Sequence, residues 1–296
     1  ASAGVNRASI GVQGFHPEVQ KAINRIQPFQ LTEQVVGWLR KHGVNDINMD
    51  LLYGLPHQTV ERVRKQAEMA ASLKPVRVAL FGYAHVPWMK SNQKMIDEAA
   101  LPGVTERWKQ FVASSEALEK MGYLAIGLDH FALPADALAI AMREGRLHRN
   151  FQGYTTDEAT VMLGFGASGI GLLPQGYAQN AAPLNAYAEA VKAGRLPISR
   201  GLALTAEDKL RGHVIERLMC DFTIDLDQAL AKHRGAETKD FTKEIEKMTP
   251  LAEDGIVTVN GMRVTITEDG RPFARLAAAA FDAYLDTGQK RHSKAV

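Results

Sequence analysis

Three apolar runs alternate with amphipathic segments in the first half of the chain. The runs are ASIGVQ at 8–13, INMDLLYG at 47–54 and VRVALFGYAH at 76–85. A segment with helical periodicity follows each of them, which is typical of parallel strands joined by crossover helices. Apolar residues recur every three or four positions in 104–121, and Gly122 then provides a stop. The pattern predicts a βαβαβα order with units of about 30 residues, as in α/β barrels.

The second half of the chain follows a different pattern. The predicted elements are, in order, a strand at 123–132 that closes the sheet, glycine-rich and polar loops to about Gly194, helices at 205–222 and 238–254, a β-hairpin around Asn260-Gly261 and a helix to about Leu285. Two helices, a hairpin and a last helix resemble a winged-helix arrangement. We therefore expect an α/β protein in three parts: barrel strands in 1–132, a loop-rich covering segment in 133–204 and a helical, winged-helix-like domain in 205–296.

Composition places the chain among folded globular proteins. It has 296 residues, of which 46% are hydrophobic and 23% charged, and its net charge is only +2. No overall field therefore favours a nucleic-acid or membrane partner. The start has neither a signal peptide nor a membrane span, so a cytoplasmic protein is expected. Because the chain opens at Ala1 directly into an apolar alternation, we expect it to be a fragment.

Polar residues interrupt the apolar runs where each predicted strand closes. They are Gln13, Asp50 and the group Tyr83-Ala84-His85. One such residue is readily explained as a loop cap or as a partner for a backbone group. Three at successive strand ends favour a functional site, because barrel enzymes place their catalytic residues there.

The densest candidate feature is the segment REGRLHRNFQGYTT at 143–156. Arg143, Arg146 and Arg149 are suited to bind carboxylates, and the aromatic residues Phe151 and Tyr154 are suited to pack on a flat ring system. A solvated basic loop is the alternative interpretation. The glycine-rich stretch at 163–173 is weaker evidence, because close helix packing would use glycines equally well.

The single cysteine, Cys220, limits the possible chemistry. It excludes an intrachain disulfide and any cluster that this chain alone would hold with several thiolates. Its place in the apolar stretch HVIERLMCDF favours a core position over a reactive one. No metal site is predicted within the chain.

Several strings resemble the oxygen-independent coproporphyrinogen III oxidases, which are radical S-adenosylmethionine (SAM) enzymes of haem biosynthesis. The strings are GVNRASIGVQ, NMDLLYGLPHQT, LFGYAHVPWMK, GLDHFALPADALA and HRNFQGYTT. HRNFQGYTT is highly specific, whereas the others are shared more widely among relatives. The resemblance runs through essentially the whole chain.

The resemblance implies a partial radical SAM barrel with a [4Fe–4S] cluster, two SAM molecules and a C-terminal helical domain over the active site. It places SAM contacts at Gln13, Arg25, Asp50, Ala84 and Ile170. The first four would form the second SAM site, and Ile170 would touch the SAM bound to the cluster. The implied reaction converts two propionates of coproporphyrinogen III to vinyl groups, which gives protoporphyrinogen IX. Arg143, Arg146 and Arg149 would then bind substrate carboxylates.

One family motif is missing from the sequence. The CxxxCxxC motif that holds the cluster does not occur here, and one cysteine cannot replace three thiolates. We therefore expect an N-terminally truncated copy that is inactive alone, whose complete form needs an electron donor and is a monomer.

Two other functions compete with this interpretation. A haem-binding chaperone of the same family shares GVQ and DLIYGLP-like strings but lacks HRNFQGYTT, which favours the oxidase. A nucleic-acid-binding role for 205–296 would need a basic surface, yet that segment has 14 lysines and arginines against 16 acidic residues. We predict that it packs over the substrate cleft and binds no nucleic acid.

Overall fold

The computed structural model describes residues 4–285, which divide into two compact units. The first unit contains residues 4–146 and the second contains residues 147–285. Among the residues described, no helix has both the length and the apolar character needed to cross a membrane.

The first unit is built on one five-stranded sheet. Its elements are β1 (Arg7–Gln13), α1 (Pro17–Ala22), α2 (Phe29–Lys41), β2 (Asp46–Tyr53), α3 (Val60–Ser72), β3 (Arg77–Gly82), α4 (Val104–Lys120), β4 (Leu124–Ile126), β5 (His130–Ala132) and α5 (Ala137–Arg143). The strands lie in the order β1-β2-β3-β5-β4, and β1, β2 and β3 run parallel. The predicted parallel strands with crossover helices are confirmed.

Local sequence signals set the bounds of the helices around this sheet. The side chain of Thr59 accepts a hydrogen bond from the backbone N–H of Arg62 at 3.2 Å and so caps α3. Helix α4 ends at Lys120, and Gly122 follows with φ of +90°, as predicted for a C-terminal stop.

The segment 123–132, which was expected to close the sheet region, forms a hairpin of two short strands at the edge of the sheet. Gly127 has φ of +61° and lies between β4 and β5, which pair antiparallel. Strand β5 also pairs antiparallel with β3. The glycine allows the chain to reverse, so this segment adds two short strands to the sheet.

The two faces of β2 have different surroundings. Ile47, Met49, Leu51 and Tyr53 are buried in the main apolar core, which includes residues of α3 and α4. The alternate positions of the strand, Asn48, Asp50 and Leu52, are only half-buried. The period of two thus directs the apolar side chains to the core and leaves a polar face on the other side of the sheet.

The second unit contains three small sheets and six helices among the residues described. Its elements are β6 (His148–Asn150), β7 (Gly153–Thr155), β8 (Ile170–Leu173), β9 (Gly176–Asn180), α6 (Leu184–Lys192), β10 (Ile198–Ala203), α7 (Ala206–Cys220), β11 (Thr223–Asp225), α8 (Leu226–Lys232), α9 (Thr242–Glu246), α10 (Thr249–Glu253), β12 (Val257–Asn260), β13 (Arg263–Ile266) and α11 (Ala274–Ala279). The sheets have the orders β6-β7, β10-β9-β8 and β11-β13-β12. Segment 133–204, which was expected to be loop-rich, contains short strands and two helices joined by loops. These strands were missed because their glycines gave no clear alternation.

Three details of the C-terminal segment differ from prediction. The helix expected at 238–254 is two helices, since Pro250 has no N–H to donate to the carbonyl of Glu246. The hairpin is present, but its loop consists of Gly261 and Met262, because Asn260 still pairs with Arg263. The final helix ends at Ala279, short of Leu285.

Candidate functional site

Asp50 lies inside β2, at the centre of the polar sheet face. It is the fifth of the eight residues of the strand, so its expected position at the strand end was wrong. Its register partners are Gly11 on β1 and Ala79 on β3, and Ala79 in turn pairs with His130 on β5. Because the two neighbours of Asp50 are small, a ligand has room to approach its carboxylate.

The Asp50 carboxylate accepts hydrogen bonds but forms no ion pair with any residue of 4–285. Asn48 Nδ2 donates to its Oδ1 at 2.7 Å, and Ser9 Oγ donates to its Oδ2 at 3.2 Å. Among residues 4–285 it forms no ion pair, and the buried Oδ1 of Asn48 has no hydrogen-bond partner. A half-buried anion beside an unsatisfied acceptor is suited to a ligand that carries N–H or O–H donors.

Arg25 and Gln13 both lie against Gly11, the register partner of Asp50. An Nη atom of Arg25 donates to the Gly11 carbonyl oxygen at 2.6 Å. A Cβ at position 11 would lie 3.0 Å from Gln13 Nε2 and 3.5 Å from the same guanidinium, so a larger residue would push the Gln13 amide away by a few tenths of an ångström. Arg25 thus lies against the residue that pairs in register with Asp50. A guanidinium can bind the carboxylate of an amino-acid ligand, and a carboxylate can bind its ammonium.

Gln13 ends β1 in a conformation that a neighbouring glutamine supports. Its φ is +65°, the left-handed region that non-glycine residues rarely adopt, and the strand register shifts there. Gln66 Nε2 donates to the Gln13 carbonyl oxygen at 3.0 Å and to that of Leu52 at 3.1 Å. One buried amide therefore joins the ends of β1 and β2.

Two more buried glutamines fix the loop after β2. Gln58 Oε1 accepts from the backbone N–H of Leu55 at 2.8 Å, and its Nε2 donates to Gln66 Oε1 at 3.2 Å. Gln110 Oε1 accepts from the N–H of Gly54 at 2.9 Å, and its Nε2 donates to the carbonyl of Gln58 at 2.8 Å. These hydrogen bonds tie the loop to α3 through Gln66 and to α4 through Gln110.

Arg107 joins the ends of β2 and β3. Its Nη1 donates to the Tyr83 carbonyl oxygen at 2.8 Å, and its guanidinium lies over the Tyr53 ring at 5.8 Å. A Cβ at Gly54, which has φ of +83°, would lie 2.7 Å from the guanidinium. Burial holds the pKa of Arg107 below its ordinary value.

Ala84 follows β3 on the segment that Arg107 holds. It is exposed, and its carbonyl oxygen accepts from Gln93 Nε2 at 3.1 Å. Beside it, Tyr83 Oη and His85 Nδ1 share a hydrogen bond of 3.1 Å, and His85 Nε2 lies 3.0 Å from Glu98 Oε1. Burial raises the pKa of Tyr83, so its hydroxyl stays protonated at neutral pH.

In the second unit, the segment HRNFQGYTT forms the β6-β7 hairpin and is anchored on α7. Glu216 Oε1 lies 3.0 Å from His148 Nδ1 and accepts from the backbone N–H of Arg149 at 3.2 Å. The Tyr154 hydroxyl donates to the Met219 carbonyl at 2.9 Å. The hairpin is therefore a fixed feature of the second unit rather than a mobile loop.

The segment at 143–156, called the basic segment below, contains three arginines that have different environments. Arg143 is exposed and donates to the Pro134 carbonyl at 3.1 Å, and Arg146 forms an ion pair with Glu144. Both belong to the first unit. Arg149, in the second unit, lies with its guanidinium 5.4 Å from the Tyr154 ring centre, and its buried Nε has no hydrogen-bond partner.

Ile170 begins β8 in the second unit, after a glycine-rich turn. Asn180 Nδ2 donates to the carbonyl oxygens of Gly164 and Gly166 at 2.9 and 3.0 Å and fixes this turn against β9. Ile170 is paired in register with Gln179. Its half-buried side chain leaves part of its surface for a ligand.

The residues described do not fit an iron–sulfur cluster. Cys220 is buried, and burial raises the pKa of its thiol to about 12, so it is not a thiolate at neutral pH. Within 4–285, no group of three or more His, Cys, Asp or Glu side chains could hold a metal ion.

Sequence reasoning missed the residues that position the site. Asn48 could have been predicted, because Asn48 and Asp50 are two positions apart in INMDLLYG and therefore lie on one face of the strand. Gln66, Arg107 and Glu216 could not have been predicted, because their hydrogen-bond partners are 53, 24 and 67–68 positions away along the chain. Only the fold brings such groups together.

The chain is similar in sequence to several known proteins. The radical SAM superfamily matches residues 1–70. The chain is 51% identical over 293 residues to the oxygen-independent coproporphyrinogen III oxidase of Bradyrhizobium diazoefficiens and 45% identical over 298 residues to that of Paracoccus denitrificans. These matches cover 99% and 100% of this chain, which spans 65% of the length of each relative.

One solved structure is also similar to the structure of this chain. The coproporphyrinogen III oxidase HemN from Escherichia coli, described as a radical SAM enzyme, matches with a TM-score of 0.90 and 38% sequence identity. The match covers 96% of this chain and 65% of that one.

Proposed function

We propose that this chain, which is similar over nearly its whole length to oxygen-independent coproporphyrinogen III oxidases, carries the SAM- and substrate-binding part of such an enzyme. The complete protein would convert two propionates of coproporphyrinogen III to vinyl groups, each with loss of a hydrogen atom, CO₂ and one electron that passes to an acceptor, and would release protoporphyrinogen IX. SAM, when bound, supplies the radical that removes a hydrogen atom from the β-carbon of a propionate. The protein binds, orients and shields the reactants.

The observation that carries the proposal is the Asp50 carboxylate, which forms no ion pair among residues 4–285 and pairs in register with Gly11, the residue that Arg25 and Gln13 lie against. Asp50 would accept hydrogen bonds from the ribose hydroxyls or the ammonium of a SAM molecule. Arg25 and Gln13 would bind its carboxylate and the neighbouring atoms. Ala84 would leave room for adenine after β3. This is the second of two SAM sites, and Ile170 would contact the other SAM molecule.

The basic segment would bind the carboxylates of the substrate. Coproporphyrinogen III carries four carboxylates, and Arg143, Arg146 and Arg149 would bind some of them. The chain would contribute to a partial barrel, and residues 205–296 would form a winged-helix-like domain. A cytoplasmic location, a monomeric state and an electron donor for the cluster complete the proposal.

Binding to the chain itself tests this function without a cluster. Equilibrium dialysis of residues 1–296 against SAM, and fluorescence titration with coproporphyrin III, are expected to show saturable binding of both. The haem-binding alternative predicts tight binding of hemin and weak binding of coproporphyrin III. Saturable binding of hemin alone would contradict the proposed function.

A further inference from the structure

We propose that Arg200 binds a carboxylate of the substrate, a tetrapyrrole propionate, on the face of the β8-β9-β10 sheet. This inference rests on the proposed function and adds a residue to it. Arg200 lies on β10 and forms a cross-strand row with Gln179 on β9 and Ile170 on β8, because both pairs are in register. Residues in such a row share one face of the sheet. The arginine is therefore on the face that carries Ile170.

Gln179 holds the Arg200 guanidinium in a defined orientation. Its Oε1 accepts from Arg200 Nε at 2.6 Å, and its Nε2 donates to the carbonyl oxygen of Ser168 at 3.0 Å. Ser168 belongs to the glycine-rich turn that precedes β8. Both ends of the amide are thus occupied, so the guanidinium is tied to that turn before any ligand arrives.

The charge of Arg200 is not neutralised within the described part of the chain. Its partner is an amide rather than a carboxylate, and among residues 4–285 the side chain makes no ion pair. Only Nε is used in a hydrogen bond there, so the two Nη groups keep their donors. A fixed guanidinium with a free pair of donors matches the bidentate geometry of a carboxylate.

The surroundings favour a large apolar acid over SAM. The next row of the same face consists of Leu172, Tyr177 and Leu202, which are in register with one another. Leu202 and Tyr177 are exposed, and the Tyr177 ring contacts the exposed Phe151 of the β6-β7 hairpin. A contiguous apolar row beside one cation suits a ring system that carries propionates, whereas the amino-acid end of SAM has no comparable apolar surface.

The test measures binding of coproporphyrin III, the stable oxidised form of the substrate, to the full chain by fluorescence titration. Arg200→Gln is expected to weaken binding about tenfold or more, since a charge-assisted pair is lost, and Arg200→Lys is expected to fall between it and the unmodified chain. Arg195→Gln is the matched control, because Arg195 is an exposed arginine of the same unit. Thermal unfolding of each variant verifies that it folds.

Two further ligands identify which group Arg200 recognises. The tetramethyl ester of coproporphyrin III has no carboxylates, so Arg200→Gln is expected to leave its binding unchanged, and SAM binding is expected to stay unchanged too. Equal binding of coproporphyrin III by the Arg200 and Arg195 variants, or a loss of SAM binding alone, would overturn the inference and leave the proposed function intact. Failure of the unmodified chain to bind coproporphyrin III would contradict both.

Discussion

Asn48 Nδ2 donates a hydrogen bond of 2.7 Å to Asp50 Oδ1 within a single strand, from one residue of the polar sheet face to the next. The bond orients the carboxylate without neutralising it, because an amide carries no charge. An arginine or lysine in place of Asn48 would have paired with Asp50 and removed its capacity for a cationic ligand. The polar face is therefore arranged as a binding surface rather than as an internal ion pair.

Asp50→Ala is expected to weaken SAM binding by about tenfold or more, because it removes a charged acceptor and leaves its donors unpaired, at a cost of about 1–3 kcal/mol. Equilibrium dialysis of the full chain against SAM measures the effect. Asp46→Asn is the control, since Asp46 is the exposed first residue of the same strand and pairs with Arg7. Unchanged SAM binding by Asp50→Ala would remove Asp50 from the site.

Arg107→Ala is expected to lower the free energy of unfolding by about 1–3 kcal/mol, because the Tyr83 carbonyl loses its donor and a cavity opens between the two strand ends. Urea unfolding followed by circular dichroism measures the change. Arg64→Ala, at an exposed position of α3, is expected to have little effect. Equal stability of the two variants would mean that Arg107 does not join the loops after β2 and β3.

The basic segment yields a graded prediction. Neutralising Arg143, Arg146 and Arg149 together is expected to weaken coproporphyrin III binding, whereas Arg146→Gln alone has a small effect, because Glu144 already pairs with Arg146. Fluorescence titration of the full chain compares them, with SAM binding as the control that stays constant. If the triple variant bound coproporphyrin III normally, the segment would be a solvated loop.

His213 gives the stability of the chain a specific pH dependence. Burial, with smaller contributions from Lys232, His233 and Arg217, lowers the pKa of its imidazole from 6.5 to about 4. Above pH 6.5 the imidazole is neutral in the folded and unfolded chains alike. As the pH falls from 6.5 to 4, the unfolded chain takes up the proton first, so stability is lost through this window.

Thermal unfolding at pH 7.5, 6 and 5 measures this dependence. His213→Leu is expected to lose less stability than the unmodified chain between pH 7.5 and 5. The exposed residue His42 supplies the control, and His42→Gln is expected to follow the unmodified chain. Parallel curves for all three proteins would show that His213 does not titrate in this window.

The sequence predicted the parts of the fold that local patterns determine. The parallel strands β1, β2 and β3 and the ends of α3 and α4 follow from alternation, a threonine cap and a glycine stop. The sheet of β8, β9 and β10 escaped prediction, since its glycines and exposed leucines give no alternating pattern. At the candidate site, Gln13 and Asp50 stood out because each interrupts an apolar run. Their neighbours on the folded sheet could not be read from spacing.

The chain alone is expected not to assemble a [4Fe–4S] cluster, because its single cysteine is buried and protonated. Anaerobic reconstitution followed by iron and sulfide analysis measures this. The chain is expected to retain far less than one cluster per molecule, and Cys220→Ser is expected to give the same result. Stoichiometric iron and sulfide in the unmodified chain would contradict the expectation.

The most direct measurement joins residues 1–296 to the part of the Bradyrhizobium diazoefficiens relative that this chain does not cover, and assays that chimera anaerobically with coproporphyrinogen III, SAM and a reductant. We predict that it forms protoporphyrinogen IX together with 5′-deoxyadenosine, and that Asp50→Ala in the same chimera reduces both products. A chimera that folds, holds its cluster and binds SAM, yet leaves coproporphyrinogen III unchanged, would contradict the assignment of this chain as the substrate-binding part of the enzyme.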